Sequence, residues 1–177
     1  MKLKAILVLT TATLLAAGCA NTTATSGGRA AVAGLTDASG KAAGEATIRE
    51  TADGLWLAIS VKGVTPGAHG LHVHSVGKCD APDFATAGGH WNPTAHQHGK
   101  KNPQGPHAGD APNLVANAKG AGSLKVWLGA GLISAGATPL LDADGAAVVL
   151  HADPDDEMSD PSGKSGKRIL CGVLRPR

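Results

Sequence analysis

The chain has 177 residues, with 25 glycines, 10 prolines and four aromatics. Charged residues make up 17% and hydrophobic residues 42%, which excludes a disordered acidic or basic tail. The length suits one domain with a targeting piece rather than several domains. A formal net charge of +2 invites a nucleic-acid partner, but no Lys/Arg cluster interleaved with aromatics supports one. With no Tyr and one Phe, a core has to be built from Val, Leu, Ile and Ala.

Lys2 and Lys4 open the chain and an apolar run follows over 5–17. That run is too short for a comfortable membrane span and has the proportions of a secretory signal. It ends Leu15-Ala16-Ala17-Gly18-Cys19, which resembles a bacterial lipobox, where cleavage before the cysteine leaves it to carry lipid. Ala16 stands where that motif usually has Leu. The expected organisation is a lipoprotein signal peptide over 1–18, a lipidated Cys19 and flexible tether over 19–30, and one domain over 31–177. An ordinary signal peptide with an incidental Cys19 is the alternative. Removing 1–18 takes two lysines and no acid, which leaves 14 basic against 14 acidic groups. The positive balance therefore belongs to the targeting segment.

Three cysteines in an exported chain leave an odd one. If Cys19 is lipidated, Cys79 and Cys171 remain as a pair, and an oxidising compartment permits a disulfide between them. Its loop of roughly ninety residues is worth on the order of 4 kcal/mol in the chain-entropy model. Two buried free thiols are the other reading.

Leu55, Leu57, Ile59 and Val61 alternate with Trp56, Ala58, Ser60 and Lys62, the period of a half-buried strand. Further short strands are expected at 31–36, 45–51, 69–74, 113–118, 122–128, 146–151 and 168–174, many of them separated by Gly, Pro or Asp turns. The segments 75–112 and 152–167 fit no strand. Loops of that length in a compact domain are usually functional. The expected fold is all-β, a sandwich or barrel of about eight strands.

His72 and His74 lie two apart on an expected strand, so both imidazoles share a face, with Leu71 and Val73 on the other. Two parallel imidazoles on a rigid strand would make a metal clamp; two exposed polar positions on an edge strand are the bland alternative. Gly88-Gly89-His90-Trp91-Asn92-Pro93 follows, then His96, His98, His107 and Asp110. Several histidines and a carboxylate in a Gly/Pro-rich loop match the ligands zinc prefers. His151 closes an apolar run, where a histidine is more often a structural hydrogen-bonder than a ligand, and precedes the acidic loop Asp153-Pro154-Asp155-Asp156-Glu157, whose carboxylates could orient ligand imidazoles.

Gly70-Leu71-His72-Val73-His74, Gly77-Lys78-Cys79, Gly88-Gly89-His90-Trp91-Asn92-Pro93, Gly105-Pro106-His107-Ala108-Gly109-Asp110 and Arg168-Ile169-Leu170-Cys171-Gly172-Val173, in this order, resemble the copper/zinc superoxide dismutases of bacterial exported type. The likeness runs from about residue 31 to 174. It implies a Greek-key β-sandwich or flattened barrel of antiparallel strands with two long functional loops. It implies copper held by His72, His74, His90 and His151, and zinc held by His90, His98, His107 and Asp110, with His90 bridging the two. Asp155 would link a copper-ligand histidine to a zinc-ligand histidine, and Cys79–Cys171 would be the family disulfide. Arg168 and His90 would be the catalytic pair, Arg168 guiding the anion and His90 delivering a proton. Superoxide would be converted to oxygen and peroxide by Cu(II)/Cu(I) cycling, with zinc structural. Lys164 and Lys167 would add steering that salt weakens, against five acids in the same loop. Trp91 stands where the family usually has Phe or Tyr, and Leu170 where it has a small residue.

His69 and His96 match no ligand position; spacing from His90 favours His98 over His96. The expected setting is the periplasmic side of the cell envelope, with a lipid anchor at Cys19 and the outer membrane preferred because Ala20 is not Asp. There the enzyme would protect against extracytoplasmic superoxide. A non-catalytic copper/zinc-binding envelope lipoprotein is the competing function. Monomer or homodimer is left open.

Overall fold

A computed structural model describes residues 29–177; the expected signal peptide over 1–18, Cys19 and most of the expected tether lie outside the described residues. The described chain is all-β, with strands β1 (Ala30–Thr36), β2 (Ala42–Thr51), β3 (Gly54–Val61), β4 (Gly67–His69), β5 (Leu71–His74), β6 (Leu114–Ala116), β7 (Gly122–Gly129), β8 (Ala147–His151), β9 (Arg168–Val173) and β10 (Arg175–Pro176). A single 3-10 turn, Ala85–Ala87, interrupts the first long loop. The main sheet runs β5-β8-β9-β1-β2-β3-β7, with β10 on β1, and β4 pairs with β6 in a second small sheet. All pairings are antiparallel. β3 pairs with β7 rather than with its successor β4, and β5 pairs with β8; such long returns are the Greek-key habit.

The period-two reading of β3 holds: Leu55, Leu57, Ile59 and Val61 are buried while Ala58 and Ser60 are exposed. They join Ala31, Ala33, Leu35, Ile48, Leu71, Val73, Val148 and Leu150 in one core. A smaller second core gathers Phe84, Ala87, Ala147, Val149 and Cys171, with Cys79 against it. The Cys79–Cys171 disulfide is formed, with Cα atoms 5.7 Å apart and a sequence separation of 92.

Three sequence expectations shift. The strand expected over 69–74 is two strands broken at Gly70. There Gly70 donates to Asp153 O and accepts from His151 N, and a Cβ would stand 2.6 Å from Ser165 Cβ. The approach of the 152–167 loop thus breaks the strand. β1 begins at Ala30, already buried, inside the stretch expected as tether. β10 carries too few residues to show a period.

Replacing Cys171 by Ser removes a long-range crosslink that packs inside the second core. Urea unfolding is expected to show a loss of about 2–5 kcal/mol, and an unchanged midpoint would contradict this account.

Candidate metal centre

β5 places His72 and His74 together. Leu71 and Val73 enter the core, so the histidines take the opposite face. Both are buried, at 0% and 1% exposure. Their rings are tilted by 58° with centroids 6.3 Å apart, not parallel as the strand alone implied, because each has a different hydrogen-bond partner. His72 Nε2 meets Asp155 Oδ2 at 2.7 Å. His74 Nδ1 donates to Gly88 O at 2.9 Å. His151, at the end of β8, turns its Nδ1 to Gly166 O.

His90 comes from the first long loop and bridges to His74 backbone to backbone. Its ring stacks on His72 at 3.9 Å between centroids. One nitrogen on each of these rings is buried with no hydrogen-bond partner: His72 Nδ1, His74 Nε2, His90 Nε2 and His151 Nε2. These four residues offer ligand atoms within 4.8 Å of one another. An unpaired buried polar atom costs about 1–3 kcal/mol, so four of them facing one point mark a place for a cation. Imidazole suits copper, and the donor set fits it.

A second cluster lies on the other side of His90. The Nδ1 atoms of His90, His98 and His107 meet Asp110 Oδ1 at 2.8, 3.1 and 3.2 Å. His90 Nδ1 and His107 Nδ1 are 3.3 Å apart. Ligands about 2.0–2.1 Å from a tetrahedral zinc stand about 3.3 Å from one another, so this three-His, one-carboxylate set fits zinc. His72 also lies within reach of His90, His98 and Asp110, but its Nε2 is held by Asp155 and its free Nδ1 belongs to the first cluster. His107 therefore completes the second.

His96 is exposed and turns its Nδ1 to Pro106 O, while His98 is fully buried. His69 is buried and spans from Thr65 O to His151 O, tying β4 to the end of β8.

Asp155 joins the clusters: Oδ2 takes His72 Nε2 and Oδ1 takes His98 Nε2 at 3.0 Å. Two partners absent from the sequence reading hold it there. Asn113 clamps its backbone, donating to Asp155 O and accepting from Asp155 N. Gly163, at φ 64°, leaves the space, since a Cβ there would lie against Asp155 Oδ1 and His98 Nε2. An isolated Asn after a Pro gives no signal for the first, and Gly163 is one glycine among 25.

Arg168, paired with His151 across a bulge, donates from Nη1 to Phe84 O at 2.6 Å and from Nη2 to Gly88 O at 2.7 Å. It lines a cleft of about 440 Å³ with His74, His90, His107 and His151. Lys164 is tied to Asp156.

Burial lowers His72 to about 3, His74 to about 2 and His151 to about 4, and neighbouring imidazoles add to the fall. His98 goes the other way. Burial opposes its charge, but hydrogen bonds to Asp110 and Asp155 raise it to about 9. Both carboxylates are held well below the usual range despite burial, Asp110 chiefly by His90 and His98, Asp155 by His72 and His98.

The chain matches the model of the family described as Copper/zinc superoxide dismutase (SODC) over residues 42–174. It is 43% identical over 139 residues to a Cu-Zn superoxide dismutase of Caulobacter vibrioides, covering 77% of this chain and 80% of that protein. A Cu-Zn superoxide dismutase of Deinococcus radiodurans is 37% identical over 180 aligned residues, covering 94% and 96%. Among solved structures, a SOD-like protein from Bacillus subtilis superposes with a TM-score of 0.77 at 39% identity, over 81% of this chain and 97% of that one. The Cu/Zn superoxide dismutase from Brucella abortus does so with 0.65 at 29%, over 82% and 99%.

In chelator-stripped protein, His72, His74 and His151 stay neutral when folded and take protons near 6.5 when unfolded. The unfolded state then binds more protons below about pH 6.5, so stability falls as pH drops from there towards 4. Urea midpoints measured across that window check this, and a flat profile would contradict it.

Proposed function

Because the chain belongs to the copper/zinc superoxide dismutase family, we propose that it dismutes superoxide with its two histidine clusters divided between the metals. Two superoxide anions and two protons give one O₂ and one H₂O₂. His72, His74, His90 and His151 would hold copper; His90, His98, His107 and Asp110 would hold zinc. Copper supplies one-electron exchange between two oxidation states, and zinc supplies a fixed charge that organises its ligands. The observation that carries the reading is the set of four buried imidazole nitrogens without partners.

The residues' roles follow from their contacts. Arg168 stays charged at any working pH, and two carbonyls fix the plane of its guanidinium, so it receives a small anion at the mouth of the cleft. His90 has one nitrogen in each cluster, so its Nε2 is the atom suited to hold a proton for the product. Asp155 fixes the rings of His72 and His98 from behind, as partners of metal-ligating imidazoles do.

The basic start, short apolar run and Cys19 support export, lipid attachment at Cys19 and a place in the cell envelope, guarding it against extracytoplasmic superoxide. Mass spectrometry of the exported protein is expected to find acyl groups on Cys19. An unmodified Cys19 ends the anchor reading without touching the enzymatic one.

Purified protein is expected to hold about one copper and one zinc per chain, and His72→Ala to abolish dismutation. Full activity in that variant would sink the assignment. Inert, fully metallated wild-type protein would favour the non-catalytic metal-binding reading. Arg168→Ala is expected to lower kcat/KM by about tenfold or more with copper content unchanged. Asp155→Asn is expected to weaken metal affinity about 10–100-fold, measured by chelator competition.

A further inference from the structure

The outward side of the sheet carries a basic and aromatic patch that the metal centre does not use. β3 turns Trp56, Ala58 and Ser60 outward, and β7 exposes Ser123, Lys125 and Trp127. The strand registers align Ala30, Arg49, Trp56 and Trp127 in one cross-strand row. Arg175, Val32, Thr47, Ala58 and Lys125 form the next. Arg177 N donates to Ala30 O, so Arg177 stands at the end of the first row. Trp127 is 46% exposed, and Lys125 Nζ lies 5.5 Å from the Trp56 ring centroid. Arg49, Lys125, Arg175 and Arg177 are exposed. Among the described residues the Lys or Arg ion pairs to carboxylates are Lys101–Glu157 and Lys164–Asp156, so none of these four is paired. The acids beside the patch are Glu45, one row further, and Asp53, whose carbonyl accepts from Trp127 Nε1.

We infer that this face docks on an anionic bilayer surface. Tryptophan rings sit at the boundary between headgroups and acyl chains, and basic side chains beside them meet anionic headgroups. A second copy packed on the same face would set these four cations against their own counterparts, so the charge pattern fits lipid better. The chain enters the fold at Arg29 beside this row, ten residues after Cys19, a span of at most about 35 Å. The inference rests to that extent on the proposed lipid attachment, and a basic surface beside an acyl chain is the pairing that strengthens such anchors.

The test uses the exported holoenzyme and vesicles of phosphatidylcholine alone or mixed with phosphatidylglycerol. The mixed vesicles are expected to bind about tenfold tighter or more at low salt, with the gain shrinking as salt rises. Arg49→Glu with Arg175→Glu is expected to remove that gain while dismutation, and therefore the fold, is kept. The milder Arg49→Gln with Arg175→Gln should reduce it. Brominated lipid should quench fluorescence in the wild type and much less in Trp127→Phe. Cys19→Ala separates the two readings: equal binding of it and the wild type to neutral vesicles ends the anchor, while the phosphatidylglycerol gain still reports on the face. Equal affinity for both vesicles, a gain that survives the double reversal, or self-association abolished by Trp127→Phe would overturn the inference.

Discussion

Six imidazoles and two carboxylates are packed into one largely buried cluster, and the rest of the site is arranged around the cost of burying them. The three strand imidazoles are each held at one nitrogen by a fixed acceptor: Gly88 O for His74, Gly166 O for His151, Asp155 for His72. The remaining nitrogen of each then points inward without a partner. Acceptors outside the cluster thus decide which nitrogen can face a metal. The carboxylates divide the work, Asp110 inside one cluster and Asp155 behind both.

The strands and the loops contribute different kinds of precision. His72, His74 and His151 ride on paired strands of the main sheet, and loop acceptors set how each ring is turned. His90, His98 and His107 come from a long loop, and that loop is stapled at several depths. The disulfide ties its start to β9, Phe84 plugs the second core, and Trp91 enters the main core. The aromatic that departs from the family pattern thus still serves as an anchor. Arg168 grips the carbonyls of Phe84 and Gly88, and Gly88 O also receives His74. Arg168, a strand histidine and the stapled loop therefore share one carbonyl.

Much of this was legible in the chain because the information is local. The H-x-H spacing set two imidazoles on one face, the alternation over 55–61 predicted β3, and two cysteines left over after Cys19 predicted their own pairing. Beyond that disulfide, non-local contacts were not legible. The break at Gly70 depends on a loop more than eighty residues further on. The clamp of Asn113 on Asp155 joins residues 42 apart, and the space at Gly163 matters only because His98 and Asp155 arrive beside it.

The sequence by itself determined which side chains can bind metal, the strand periods that share them between faces, and the resemblance that named their roles. Only the tertiary structure decided that His98 and not His96 is buried, that the His72 and His74 rings are tilted, and which nitrogen of each ring is left free. It also decided that two tryptophans and four cations share one outer face. Residue type and period are properties of neighbours in the chain, whereas ring orientation, burial and cross-strand rows depend on strands and loops brought together from far apart.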